Sequence, residues 1–287
     1  MVALSPMKPT QKPTFILGVG AQKSGTSWLY AQLARQDTVD LGFRKEYHIW
    51  DAVFLPHFDS FLANPKWYSK GAAKLGSRRH ANTLKCLQMQ TEDGAYANYF
   101  KSRIHGNVNT TGDITPSYSG LDASHFTKIR NELEEAGFAV KVVFIMRDPV
   151  ARNWSACLMR QRIVARSGRH IDDDALLNMF DEFYKLQRSL DHTLYDKTVI
   201  NLRSAFDESD IHFGIYENLF DETSLKRLGH FLQRDLTVFD ASEKVNTSKK
   251  LALPEAKRNA CRDFYASVYD FCHVEFPETK TLWRSAK

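Results

Sequence analysis

The sequence predicts an α/β fold: a single domain with a central, mainly parallel β-sheet flanked by helices. Three observations predict it. Short apolar runs alternate along the chain with segments of helical period. The strongest run, residues 140–146 (VKVVFIM), has the β-branched, apolar character of a parallel strand buried on both faces. A glycine-bearing loop also joins the first strand directly to a helix, as in βαβ architectures.

Taken in order, residues 15–19 (FILGV) read as the first strand. The loop Gly20-Ala21-Gln22-Lys23-Ser24-Gly25 follows, and a helix starts at Thr26, with Trp28, Leu29, Leu33 and Ala34 on its apolar side. Residues 39–43 are a second strand candidate, leading into Lys45-Glu46-Tyr47-His48. Residues 52–105 read as helix and loop with many aromatics, and residues 107–112 as turn-rich. A helix over 126–136 ends near Gly137, ahead of the strand at 140–146. Arg147-Asp148-Pro149 stops that strand, and a helix is predicted over 150–162. Further helices are expected at 172–194, 225–232 and 252–271, with a strand at 212–216.

Composition bounds the rest. Of 287 residues, 43% are hydrophobic and 25% charged, which excludes disordered, collagen-like and coiled-coil chains. Residues 1–13, with Pro6, Pro9 and Pro13, read as a flexible lead-in, and 14–287 as one domain. The longest apolar run is about seven residues, against roughly 18 for a membrane span, so no span is expected and the expected compartment is the cytoplasm, with a secretory lumen as the second choice. A net charge of 39 − 34 = +5 is too small to argue for nucleic acid. Cys86, Cys157, Cys261 and Cys272 form no CxxC pair or zinc-site spacing; reduced, buried thiols are expected, with one disulfide as the alternative.

The loop at 20–25 carries the first chemical signal. Amide N–H groups at a helix start lack intrahelical partners and, with the helix dipole, bind phosphate. Lys23 adds a point charge, Thr26 and Ser27 add hydroxyls, and the glycines admit close approach of an anion. The spacing is not that of a Walker A motif, because Thr26 stands directly after Gly25 where that motif has its lysine. A metal-independent 5′-phosphate site is favoured over a Mg²⁺-nucleotide site. Arg147 carries the second signal. It stands at the carboxyl end of the buried strand, where parallel sheets bind ligands, and Ser155 follows eight residues later in the next helix. A forked guanidinium and a hydroxyl suit a second phosphate.

Together these segments resemble the sulfotransferases that use 3′-phosphoadenosine 5′-phosphosulfate (PAPS). FILGVGAQKSGTSWL is similar to their 5′-phosphosulfate loop and VVFIMRDPVARNWS to their 3′-phosphate motif, in the same order. Tyr216-Glu217-Asn218-Leu219 is similar to the family's Tyr-Glu-Asp-Leu segment. Within the family, Lys45-Glu46-Tyr47-His48-Ile49-Trp50-Asp51 and Asp113-Ile114-Thr115-Pro116-Ser117-Tyr118 resemble segments of the heparan and carbohydrate branch. The resemblance covers about residues 14–275.

The resemblance implies a P-loop-like nucleotide-binding core. It implies that Lys23, Ser24, Gly25, Thr26, Ser27 and Trp28 hold the 5′-phosphosulfate end of PAPS, and that Arg147 and Ser155 hold the 3′-phosphate, with Ser248 and Lys249 as a looser match to a further 3′-phosphate loop. Glu46 is implied as general base, with Lys23 and His48 as further catalytic groups. Glu46, His48, Asp51 and Tyr118 are implied at the acceptor. Ile114 stands where the branch has a lysine, and Tyr47 where it has a proline; this argues against a heavily sulfated acceptor. Trp50, Trp67 and Tyr68 are further candidates for a sugar site, and Arg78, Arg79 and His80 for an anionic acceptor.

The expected reaction is in-line transfer of a sulfuryl group from PAPS to a hydroxyl or amine of a carbohydrate or other small alcohol, leaving 3′-phosphoadenosine 5′-phosphate (PAP), with no metal required. Two other readings stay open: a P-loop nucleotide kinase or NTPase, and a nucleotide- or glycan-binding module without turnover.

Overall fold

The computed structural model describes residues 12–64, 77–234, 236 and 251–283. Four strands, β1 (Thr14–Gly20), β2 (Thr110–Ile114), β3 (Ala139–Met146) and β4 (Ile211–Ile215), form one sheet in the order β2-β1-β3-β4. Every neighbouring pair is parallel. The first crossover from β1 leads outward to β2, and the next returns past β1 to β3. The switch point therefore lies between the carboxyl ends of β1 and β3, where parallel sheets place ligands.

Alternation along β1 sets the layers. Phe15, Leu17 and Val19 face a large core that also holds Val142, Phe144 and Met146 of β3. This core is closed by α5 (Ala123–Glu135), α9 (Tyr195–Ala205) and the C-terminal helices α11 (Glu255–Phe264), α12 (Ala266–Glu275) and α13 (Thr279–Leu282). Ile16, Val143 and Ile145 face a smaller core under α1 (Thr26–Ala34) and α10 (Glu222–Leu232). The remaining helices are α2 (Trp50–Phe54), α3 (Arg78–Thr91), α4 (Ala95–Lys101), α6 (Pro149–Arg166), α7 (Asp173–Phe183) and α8 (Gln187–Asp191). Among the described residues, no helix is long and apolar enough to cross a membrane. All four cysteines are buried and unpaired.

Three expectations need correction, besides the helix expected over 252–271, which breaks at Tyr265 into α11 and α12. Residues 39–43 form no strand; Val39 makes an isolated bridge to Thr110, and Gly42 turns the chain with φ 77°. A strand, β2, instead occupies the segment read as turn-rich. Its polar side chains are satisfied from elsewhere: Thr111 Oγ1 donates to the Asp40 carbonyl at 2.7 Å, and Asp113 accepts from Thr115, Tyr118 and Tyr96. The helix expected over 172–194 is two helices, α7 and α8, separated near Tyr184–Leu186.

Candidate functional site

The loop between β1 and α1 is held from both sides. The Ala21 amide donates to the Ile145 carbonyl of β3 at 2.7 Å, and Arg147 Nη1 donates to the Lys23 carbonyl at 2.9 Å. Lys23 adopts φ 71° and Gly25, which caps α1, φ 91°. A Cβ on Gly25 would lie 2.7 Å from Leu219 Cδ2, so the backbone here needs glycine for both its conformation and its packing. The first helical bond of α1 runs from Leu29 to Gly25, which leaves the earlier amides of the helix start to meet an anion.

Cations gather around this loop. Lys23 is pushed down to about 8 from its ordinary 10.5, first by burial and then by Arg162, Arg147, Lys45 and Arg152. Arg147 sits over the Tyr216 ring at 4.4 Å, and its buried Nε has no hydrogen-bond partner. Arg152, in the second turn of α6, is 0% exposed. It donates to Asn153, and among the described residues its Nε has no partner and no carboxylate offsets its burial. The buried Ser24 hydroxyl also has no partner. A buried guanidinium without a carboxylate costs several kcal/mol, so a cluster of this kind calls for an anion. The orphaned donors, the free helix start and the close-packed glycine fit a phosphosulfate group.

The Tyr216–Asn218 turn buttresses the arginine. Glu217 accepts from the Asp148 amide at 3.1 Å and from Trp283 Nε1 at 3.0 Å. Tyr269 of α12 donates to Asp148 Oδ1 at 2.8 Å, and the same oxygen caps α6. The C-terminal helices thus fasten the turn that carries Arg147.

Beside the loop, Lys45 Nζ donates to Ser27 Oγ at 2.8 Å and to Glu46 Oε1 at 2.7 Å. His48, with φ 55°, points its ring between two carboxylates: Nδ1 lies 2.6 Å from Asp51 Oδ2 and Nε2 3.6 Å from Glu46 Oε2. Burial opposes the charge on each, and the pairing prevails. Glu46 is held down at about 2 by its bonds to His48 and Lys45, and His48 is raised to about 9 by Asp51 and Glu46. At neutral pH Glu46 is an ionised acceptor and His48 a cation with no site for another proton. His48 thereby orients the Glu46 carboxylate.

Other expected site residues fall elsewhere. Tyr118 is 0% exposed; its hydroxyl donates to Asp113 at 2.7 Å and accepts from the Ile49 amide, so it is a core residue and not an acceptor contact. Asp51 is also 0% exposed and bonded to His48 and Ser117, which makes it a positioning group. Ile114 packs against Gly18 in the small core, so its identity carries no information about acceptor charge. Trp28 is buried behind the loop, edge-on to Phe220 at 5.3 Å. Trp50 stacks on Phe54 in the large core. Ser155 is half-buried on α6. Arg78 and Arg79 are exposed and His80 half-buried in the first turn of α3. Arg78 lines a separate cleft of about 370 Å³ with Lys85, Tyr99 and Arg103. Trp67, Tyr68, Ser248 and Lys249 lie outside the described residues.

A cavity of about 610 Å³ opens beside Glu46. Gln22, Glu46, His48, Ser117, Arg152 and His192 are among its polar lining. His192 is neutral, pushed down to about 3 by burial and by Arg152. Sequence reasoning missed Arg152, Ser117, His192 and the apolar side chains of the same cavity. Arg152 alone left a local trace: it falls on the apolar face of α6, between Val150 and Ala156.

No protein-family model matches the sequence, and no curated protein matches it. Solved structures do. A sulfotransferase from Alicyclobacillus acidocaldarius superposes with a TM-score of 0.61 over 96% of this chain and 100% of its own, at 16% identity. The sulfotransferase domain from the Synechococcus PCC 7002 olefin synthase gives 0.44 over 90% and 97%, also at 16% identity. A sulfotransferase from Mycobacterium avium gives 0.46 over 92% and 77%, at 13%. The chain has the sulfotransferase fold, an α/β domain whose four-stranded parallel sheet carries a P-loop-like turn after its first strand.

Proposed function

We propose that the protein is a sulfotransferase that moves a sulfuryl group from PAPS to a hydroxyl or amine of an acceptor, a carbohydrate or other small alcohol. One observation carries this reading. Lys23, Arg147 and Arg152, none in an ion pair with a carboxylate among the described residues, converge on a helix start at the switch point, next to the ionised carboxylate of Glu46. An anionic donor answers the cations, and an acceptor proton answers the carboxylate.

Bound PAPS supplies an activated sulfuryl group on a good phosphate leaving group. The chain's residues do the rest. The α1 amides, Lys23 and the Ser24, Thr26 and Ser27 hydroxyls hold the 5′ end, while Arg147 and Ser155 hold the 3′-phosphate. Glu46 takes the acceptor proton as the new S–O bond forms. Lys23 and the loop amides stabilise charge on the oxygen whose bond to sulfur breaks, and PAP departs. Lys45 bridges Ser27 and Glu46, so one ammonium spans the donor loop and the base. Aligning the two substrates contributes several kcal/mol to lowering the barrier.

Calorimetric titration with PAP, ADP and ATP, with and without Mg²⁺, tests this. Metal-independent binding that needs the 3′-phosphate is the expected result. Failure to bind PAP, or binding of ATP alone and only with Mg²⁺, overturns it.

A further inference from the structure

The cavity beside Glu46 has a mixed lining. Besides the polar groups already named, it holds Met159, Ile163, Met179, Phe183 and Leu186, contributed by α6, α7 and the segment before α8, together with Arg160 of α6. Ile163 is 49% and Leu186 55% exposed, so the mouth presents large apolar side chains to solvent. Covering these side chains with an apolar ligand is favourable. Two flexible methionines suit a hydrocarbon surface of variable outline.

A sugar fits this wall poorly. Nearly every ring carbon of a sugar bears a hydroxyl, and each one buried without a partner costs about 1–3 kcal/mol. Sugars also need open aromatic faces. Phe61 already stacks on His48, with ring centroids 3.7 Å apart, and Phe58 lies under the Arg188 guanidinium at 4.9 Å. At the rim, Glu182 pairs with Lys185 at 2.9 Å and Arg188 donates to the His57 carbonyl at 2.8 Å.

Resting on the sulfotransferase reading, we infer that the acceptor is an apolar alcohol or phenol. Its hydroxyl meets Glu46, and its hydrocarbon body lies along Met159, Ile163, Met179, Phe183 and Leu186. The volume, about 610 Å³, is that of a site for one small molecule. The hydroxyl proton passes to Glu46, the acceptor oxygen bonds to sulfur, the sulfur–oxygen bond to the donor phosphate breaks, and PAP leaves.

The test uses the full chain with radiolabelled PAPS and three acceptors, 1-octanol, 2-naphthol and cellobiose, beside PAP calorimetry on the same preparation. At least one apolar acceptor should exceed cellobiose in kcat/KM by about 100-fold. Leu186→Asn, at an exposed position, should raise the KM of the preferred apolar acceptor by about 5-fold and leave PAP affinity unchanged. PAP binding with cellobiose preferred, with no transfer to either apolar acceptor, or with an unmoved KM in Leu186→Asn overturns the acceptor class alone. Absence of PAP binding overturns the sulfotransferase reading as well.

Discussion

The loop after β1 draws its candidate anion-binding groups from one continuous stretch, residues 20–27, whereas the neighbouring cavity draws its lining from positions as distant as Gln22, Glu46, Phe61, Ser117, Arg152 and His192. The loop is cationic and pinned to β3 by the Ala21 amide and Arg147. The cavity sets the charged groups of Glu46, His48 and Arg152 beside hydrocarbon side chains. Phosphate recognition needs backbone amides in fixed array, which only neighbouring residues on a rigid turn supply. Acceptor recognition needs shape, and shape is assembled from whatever the fold brings together.

If the two regions divide the labour in this way, substitutions should separate donor binding from transfer. The largest expected effect belongs to Glu46→Gln, which keeps the size of the side chain and removes its capacity to take a proton. Turnover should fall by roughly 10²–10⁴-fold while PAP affinity stays within a few-fold. Full activity in this variant would remove Glu46 from the chemistry and erase the contrast between the regions.

Arg147→Ala acts on the other side. Losing a charge-assisted contact should weaken PAP by roughly 100-fold in calorimetry, with ADP, which lacks the 3′-phosphate, far less affected. Equal losses for both nucleotides would mean that Arg147 supports the loop through Lys23 rather than reading the 3′-phosphate. Gly25→Ala should follow, at roughly 10-fold weaker PAP binding. It forces a Cβ to within 2.7 Å of Leu219 and strains a backbone at φ 91°. An unchanged affinity would show that the turn yields more readily than its packing suggests.

The smallest effect is a matter of pH. Burial and neighbouring cations hold Lys23 at about 8. A bound anion favours its charged form, so binding above pH 8 must take up a proton, and affinity must fall as pH rises further. Calorimetry of PAP in buffers of different ionisation enthalpy reads that proton directly. Lys23→Met should abolish the uptake; uptake that persists in the variant would assign the proton to another group.

The same contrast explains what the sequence disclosed. Strands β1 and β3 were legible because both are buried in a parallel sheet and read as apolar runs. The P-loop-like turn after β1 was legible because its glycines, lysine and hydroxyls are consecutive in the sequence. β2 was not: TTGDI is as buried as its neighbours, yet its polar side chains are satisfied by Asp40, Tyr96 and Tyr118 from other parts of the chain. The misplaced strand at 39–43 has the same origin, because Gly42 packs against the hydroxyls of Tyr47 and Tyr99 and turns where an apolar run suggested extension. In the site, Glu46 and His48 stood out in one short segment, but their shared charge state depends on Asp51, Lys45 and the surrounding burial. Tyr118 was drawn to the acceptor by its place in a motif and belongs to the core.

The attachment of α12 and Trp283 to Asp148 and Glu217 has a consequence for ligand and fold together. The residues that secure the Arg147 turn are contributed by the final helices, so undocking those helices releases the turn and weakens donor binding. Thermodynamic reciprocity then requires that donor binding hold the same helices down. PAP should slow amide hydrogen exchange across residues 265–283, and a protease that nicks this stretch should find its substrate withdrawn as nucleotide is added.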